Sequence, residues 1–220
     1  MKINIHLFKY EMLFALANKS ILLSTSFFVI VILTVGIGFG QTGDSSEKTI
    51  IAIIWIATAF SSLLSIKEMF QNDFEDGTLD VYMLSAATLE TIICIKAFTH
   101  WITTNLPIIF LIPLISIPLG ITFYHSILIS LVMLISTPAL SFISTIGAAL
   151  TLGEKGGNLL MSIFILPTFL PVMIFGMKIS ILIINSIYDV MAHLILFALS
   201  LICLAITPFI TSAIIKVHYS

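Results

Sequence analysis

Few residues in this sequence combine types and spacings that could do chemistry. The acidic run Asp73–Gly77 superficially matches a calcium-binding loop, but its glycine comes one position early and position twelve is Leu84 rather than glutamate. The two cysteines, Cys94 and Cys203, lie far apart in apolar runs and form no metal-binding, redox or disulfide pattern. The sequence has no phosphate-binding loop, zinc-peptidase motif or serine-hydrolase motif. We therefore expect no catalytic residue, no metal site and no P-loop ATP site in this chain.

Two histidines lie within apolar runs, where ionisable residues are rare and often functional. They are His100 and His193, and Trp101 directly follows His100. Ion-coupled carriers usually keep ionisable residues in mid-membrane, but no aspartate, glutamate or lysine lies deep in a predicted span of this sequence. The pair His100 and Trp101 is the candidate for an intramembrane functional site. The alternative is packing, with a hydrogen-bonded histidine and a tryptophan that fills a helix interface.

The composition indicates a membrane protein. Of the 220 residues, 59% are hydrophobic and only 9% are charged, and the mean hydropathy is +1.19. Soluble domains carry about 25% charged residues, so this chain has too few polar groups to cover a water-facing surface. All nine basic residues are lysines and the net charge is −2, which leaves no basic surface for nucleic acid. These features exclude an ordinary soluble enzyme, a disordered chain and a nucleic-acid binder, and they leave a protein embedded in membrane lipid.

The apolar stretches predict an all-α polytopic fold of six transmembrane helices in a single domain, residues 1–220. A crossing needs about 20 apolar residues, so the charge-free stretch 97–153 must fold back, and Pro118-Leu119-Gly120 is the expected break. The predicted spans lie near residues 20–40, 49–66, 91–117, 122–151, 156–177 and 190–215.

The lysines predict the orientation in the membrane. With the N-terminus in the cytoplasm, seven lysines lie on the inner side and two, Lys48 and Lys178, on the outer side. Both termini are therefore expected inside. Residues 1–19 carry an apolar stripe at helical spacing opposite two lysines, which predicts a helix lying on the inner membrane surface. A frayed lead-in to the first span is the alternative.

Residues 67–90 form the one large polar segment of the sequence and are expected to be a cytoplasmic coupling loop. The segment holds six of the eleven acidic residues. Phe70 and Phe74 share a helix face, Gly77 can end that helix and Thr78 can cap the next. The pattern therefore predicts two short helices that meet at the glycine.

The second of these helices has an apolar face outside the membrane, formed by Leu79, Tyr82 and Met83. This face needs either a protein partner, which we favour, or the chain's own helical bundle to pack against. A six-helix chain with such a loop and no ATP site is typical of a permease subunit driven by a separate ATPase. A unit of this size needs a second copy to enclose a path.

Short motifs follow one another in a specific order along nearly the whole chain. They are Ile54-Trp55-Ile56-Ala57, Ser61-Ser62-Leu63-Leu64, Phe70, Asp73, Asp76-Gly77-Thr78-Leu79-Asp80, Lys96, His100-Trp101, Leu106-Pro107, Thr137-Pro138, Gly156-Gly157, Leu166-Pro167, Pro171 and Phe175-Gly176. Each motif is weak alone, but the ordered set is specific. It resembles the CcmB family, the membrane subunit of the ABC transporter of cytochrome c maturation.

The resemblance implies an ABC-2-type exporter permease whose cytoplasmic loop docks on a partner ATPase, CcmA. The docking residues carried over are Asp76, Gly77, Leu79, Asp80 and Tyr82. The resemblance also implies a multi-pass protein of the bacterial inner membrane without enzymatic activity of its own. Its expected partners are CcmC, CcmD, the haem chaperone CcmE and membrane lipid.

Two functions remain open under this resemblance. In the first, the chain is a permease subunit for haem export, with ATP hydrolysed by the partner. In the second, it is a non-transporting transducer that uses the same hydrolysis to release haem-loaded CcmE from CcmC. In the family, haem handling is associated with a tryptophan-rich motif on CcmC, whereas this chain has only Trp55 and Trp101. We therefore expect no haem or other cofactor bound by this chain itself, and haem enters only as a substrate of the complex.

Overall fold

The computed structural model describes residues 2–17, 20–39, 44–66, 69–85, 87–153 and 158–218. Within these ranges the chain is helical apart from short turns, and none of them contains a strand. The helices are α1 (Lys2–Ala17), α2 (Ser20–Phe39), α3 (Asp44–Leu64), α4 (Gln71–Glu75), α5 (Thr78–Leu84), α6 (Leu89–His100), a π-helical turn (Trp101–Asn105), α7 (Leu106–Ser116), α8 (Phe123–Leu150), α9 (Asn158–Ile184) and α10 (Val190–His218). The predicted all-α polytopic fold is confirmed.

Several helices are long and apolar enough to cross a membrane. In the described part of the chain, five stretches meet this condition: Glu47–Leu64, Leu89–Ser116, Phe123–Leu150, Ile165–Ile184 and Val190–His218. The second stretch joins α6, the π-helical turn and α7 into one crossing. The pair α1 and α2 meets the condition only when taken together, with a bend of 56° between the two helices, which gives up to six crossings.

Helix α8 lies at the centre of the bundle and packs against α6, α7, α9 and α10. Its buried positions include many serine, threonine, alanine and glycine residues, which let neighbouring helices approach closely in a membrane. The chain reverses between α7 and α8 at the predicted break, where Gly120 has a φ of 92°. This is a left-handed conformation that a glycine adopts without steric cost.

Helices α3 and α9 meet at a close contact between Trp55 and Gly176. The Trp55 indole is fully buried, and its Nε1 donates a hydrogen bond to Ser180 Oγ at 3.1 Å. A Cβ atom at position 176 would overlap the indole ring, so only glycine leaves room for it. Two residues from separate motifs of the sequence therefore form one contact.

Polar side chains tie the helix ends together at both ends of the bundle. At one end, Lys216 near the C-terminus of α10 lies 3.3 Å from Glu90 at the start of α6, and His218 Nε2 lies 3.0 Å from the carbonyl of Leu152 after α8. At the other end of α10, Lys178 on α9 lies 3.4 Å from Asp189 in the preceding turn. The chain thus alternates between two ends of the bundle, as a polytopic membrane protein must.

Candidate functional site

A buried cluster of charges lies where α1 and α4 meet α6. The Nζ atom of Lys96 lies 2.7 Å from Oε1 of Glu11 and 2.6 Å from Oδ2 of Asp73. The Lys96 side chain is only 4% exposed, and both carboxylates are largely buried. The rings of Phe70 and Tyr82 lie 5.9 and 5.8 Å from the ammonium, within cation–π range. Lys96 therefore fastens α1 and α4 to the transmembrane stretch that begins with α6.

The segment that presents Asp73 and Tyr82 to Lys96 is a pair of short helices, residues 69–85, called here the α4–α5 segment. Its first anchor is Phe70, which is fully buried and accepts a hydrogen bond from the Phe74 amide at 2.9 Å. The chain reverses at Gly77, whose φ of 73° lies in the left-handed region. The two helices predicted around this glycine are confirmed, except that the residue after it, expected to be a cap, is the first residue of α5.

Tyr82 links α5 to α1 through the same cluster. Its hydroxyl donates a hydrogen bond to Glu11 Oε1 at 3.2 Å. Burial, together with the nearby carboxylates of Glu11 and Asp73, raises the pKa of Tyr82 well above its ordinary value. The phenol therefore remains a neutral donor, and Glu11 is shared between it and the ammonium of Lys96.

The five residues carried over for docking occupy different environments. Asp76 and Asp80 are exposed, Gly77 and Tyr82 are half-buried, and Leu79 is fully buried. The favoured interpretation of the apolar face of α5, a surface for a partner, is therefore wrong for Leu79. That side chain packs on the chain's own bundle, because α5 lies with this face against the core.

The exposed apolar residues of α5 are others, and the sequence analysis missed them. Val81 is 64% exposed and Leu84 is 89% exposed. Residues three apart share a helix face, so the two side chains lie side by side on the surface next to the exposed carboxylate of Asp80. The helical spacing alone could have indicated this second face.

His100 lies one helical turn beyond Lys96 and connects three helices through hydroxyl groups. Its Nε2 is 2.8 Å from Ser65 Oγ on the segment after α3, and its Nδ1 is 3.0 Å from Ser141 Oγ on α8. Asn105 belongs to the same network, because its Nδ2 donates to Ser141 Oγ at 2.9 Å and its Oδ1 accepts from Ser62 Oγ at 2.8 Å. Both ring nitrogens thus have partners, as the packing interpretation of His100 requires.

Trp101 begins the π-helical turn and packs against α8. Its Nε1 donates a hydrogen bond to Thr137 Oγ1 at 2.9 Å. Within this part of the helix, Thr103 Oγ1 donates to the carbonyls of Thr99 and His100 at 2.8 and 3.4 Å. A π-helical turn interrupts the regular helical hydrogen bonds and often marks a functional position. No sequence pattern signalled this turn.

The burial and pairing of Lys96 and Glu11 are features that the sequence did not indicate. Lys96 lies inside the predicted third span and is 5% exposed, and Glu11 is 6% exposed on α1. The sequence analysis used Lys96 only in the count of cytoplasmic lysines. Its counter-charges come from α1 and α4, elements outside that span, so the span alone could not reveal the pairing.

A small cavity with both polar and apolar walls lies between the charge cluster and His100. Its volume is about 60 Å³, and Glu11, Lys96, Thr99 and His100 are among the residues that line it. Pockets for organic ligands measure roughly 300–1,000 Å³, so this cavity is too small for such a molecule. In the described ranges, no group of three histidine, cysteine or acidic side chains could hold a metal ion.

Comparison with known proteins identifies the family. The family model described as "CcmB protein" matches residues 2–218. The Heme exporter protein B of Paracoccus denitrificans is 35% identical over 198 residues, 89% of this chain and 90% of that protein. The Heme exporter protein B of Rhodobacter capsulatus is 38% identical over 154 residues, 70% of this chain and 71% of that protein. The protein of the same name from Bradyrhizobium diazoefficiens is 34% identical over 196 residues, 89% and 88% of the two chains. The chain therefore belongs to the CcmB family.

Proposed function

We propose that this chain is the membrane permease subunit of an ABC transporter complex for haem export in c-type cytochrome biogenesis, driven by a separate ATPase. The printed name of its relatives, Heme exporter protein B, supports the choice of haem. In this proposal the protein lies in the bacterial inner membrane with both termini inside, and a second copy completes the path. CcmA is the ATPase, CcmC and CcmD are membrane partners, and CcmE receives the haem.

The observation that carries the proposal is the attachment of the α4–α5 segment to the transmembrane bundle through Lys96. A surface segment can transmit force only if it is held rigidly. Here an ion pair of 2.6 Å joins Asp73 on α4 to the helix that crosses the membrane. A movement of the segment therefore displaces α6 and, through Glu11, α1 as well.

The outer face of the α4–α5 segment is the proposed docking surface for the ATPase. It combines the exposed carboxylates of Asp76 and Asp80 with the exposed apolar side chains of Val81 and Leu84. This pattern fits a hydrophobic pocket with basic residues at its rim. In this proposal Leu79 and Tyr82 do not contact the ATPase, because they hold α5 against the bundle.

The second candidate is the non-transporting transducer. The hydrogen bonds of His100 favour it, because both ring nitrogens already have hydroxyl partners and neither is free to bind haem iron. In this alternative, docking of the ATPase moves this subunit through the ion pair between Asp73 and Lys96. The movement then releases haem-loaded CcmE from CcmC.

Both candidates can be tested with one preparation, the whole complex in inverted membrane vesicles. Haem uptake into the vesicles and release of haem-loaded CcmE are measured with ATP, and a complex whose ATPase cannot hydrolyse ATP serves as the control. ATP-dependent uptake supports export. Release without uptake supports the transducer, and neither process responding to ATP contradicts both.

A further inference from the structure

We infer that the cavity between α1 and α6 is a binding site for a cluster of water molecules. Its walls differ in character. Glu11 and Lys96 make one wall charged, and Ser65, Thr99 and Thr104 supply hydroxyl groups to the other. The site is separate from the proposed docking face and does not depend on which molecule the complex transports.

Thr99 provides the observation that points to a ligand. The residue is 3% exposed, and its Oγ1 has no hydrogen-bond partner among the described residues. Thr103, one turn later, donates its hydroxyl to the carbonyl of Thr99, whereas the hydroxyl of Thr99 makes no such bond to its own helix. Buried hydroxyl groups almost always have a partner, in the protein or in ordered water. The hydroxyl of Thr99 lies on the cavity wall, where water can be that partner.

The size of the cavity selects water over organic ligands. A buried water needs roughly 10–15 Å³ and two to four polar partners, and this cavity of about 60 Å³ offers both for several molecules. An organic ligand needs several times this volume.

Water in this position connects two groups of polar side chains through hydrogen bonds. The charge cluster of Lys96 lies on one side of the cavity and the hydroxyl network of His100 on the other. Waters between them join the α4–α5 segment to the π-helical turn through hydrogen bonds. Because waters exchange partners easily, α1 can shift against α6 without leaving a buried polar group unpaired.

Radiolytic hydroxyl-radical labelling read by mass spectrometry tests the inference, because radicals formed from bound water oxidise the nearest side chains. Met69 lines the cavity, whereas Met133 is fully buried in the apolar core and serves as the internal control. We expect Met69 to be labelled several-fold faster than Met133 in the purified protein. In Ala15→Leu, which fills the cavity, the Met69 rate should fall several-fold but stay above that of Met133, because Met69 is partly exposed. An unchanged Met69 rate in this variant assigns the labelling to bulk solvent and overturns the inference.

A second pair of variants keeps the test decisive if Ala15→Leu fails to fold. Thr99→Val has nearly the same shape but lacks the hydroxyl, whereas Thr99→Ser retains it. We expect the Met69 labelling rate to fall several-fold in Thr99→Val and to remain at the wild-type level in Thr99→Ser. Equal rates in both variants contradict a water site anchored on this hydroxyl.

Discussion

At Lys96, one ammonium faces two carboxylates in a largely buried site. Glu11 and Asp73 both lie within 2.7 Å of it, so the three side chains carry one excess negative charge. Loss of the lysine leaves two buried carboxylates without a counter-charge, whereas loss of Asp73 leaves a balanced pair. The effects of single substitutions in this cluster should therefore be unequal.

The Lys96→Met substitution should destabilise the protein by about 3–5 kcal/mol, the usual cost of breaking a buried ion pair from one side. Asp73→Asn should cost clearly less. The matched control is Lys178→Met, because the pair of Lys178 with Asp189 is exposed and such pairs contribute about 0–1 kcal/mol. Thermal unfolding in detergent measures all three. Equal losses for the two lysine variants would show that the Lys96 ion pairs contribute no more than an exposed pair.

At Gly176, the absence of a side chain decides how closely α9 approaches α3. Gly176→Ala should cost about 1–3 kcal/mol, as overpacking of an interior does, because the new methyl group overlaps the Trp55 indole. The double variant with Trp55→Phe should recover part of this loss, since the smaller ring frees space. Gly38→Ala is the control, because nothing lies within 4 Å of its added methyl group. Additive losses in the double variant would contradict the contact.

At His100, a packing role and a proton-relay role predict different effects of substitution. Because both ring nitrogens bind hydroxyl groups, we expect His100→Gln, which keeps polar atoms at the end of the side chain, to retain most ATP-driven activity of the complex. His100→Leu leaves Ser65 and Ser141 without this partner and should lower thermal stability. Complete loss of activity in His100→Gln, with normal stability and assembly, would favour a relay instead.

At the scale of elements, α5 has an inner face that holds it and an outer face that is free to bind. Leu84→Asp changes only the outer face, so the protein should fold normally while ATP hydrolysis no longer drives haem uptake or CcmE release. Leu79→Asp introduces a charge on the buried face and should reduce stability and yield. Co-purification of the ATPase, together with thermal unfolding of the permease, distinguishes the two. Normal ATPase binding by Leu84→Asp would place the docking surface elsewhere.

Local patterns predicted the elements well, because the causes of helix formation and reversal are local. Apolar runs of the length of a bilayer became helices, and Gly77 and Gly120 became the reversals expected of them. The Lys96 cluster could not be predicted, since Glu11 is far away in the sequence and belongs to another element. The pattern around Leu79 showed that α5 has an apolar face but not what covers that face.

The hydrogen-bond network around His100 and Asn105 could not be predicted for a different reason. Serine and threonine within apolar runs do not interrupt a predicted span, so their alignment across α3, α6 and α8 becomes visible only when the helices are packed. The π-helical turn at Trp101–Asn105 likewise corresponds to no sequence motif.

At the scale of the whole molecule, the contacts between helix ends can be combined with the lysine distribution. The end that contains the α4–α5 segment, Glu90 and Lys216 is the end predicted to face the cytoplasm, whereas Lys178 and Asp189 lie at the other. Orientation and docking are therefore linked, because the proposed docking surface can bind the ATPase only if that end of the bundle faces the cytoplasm.

This link can be tested by labelling single cysteines with a membrane-impermeant maleimide, after both native cysteines are replaced by serine. Leu84→Cys and Tyr188→Cys suit the purpose, since the side chains are 89% and 76% exposed at opposite ends of the bundle. In intact spheroplasts only Tyr188→Cys should react, and in inverted vesicles only Leu84→Cys. Adding the ATPase to the vesicles should then protect Leu84→Cys. The reverse labelling pattern would contradict the orientation, whereas the expected pattern without protection would contradict only the docking face.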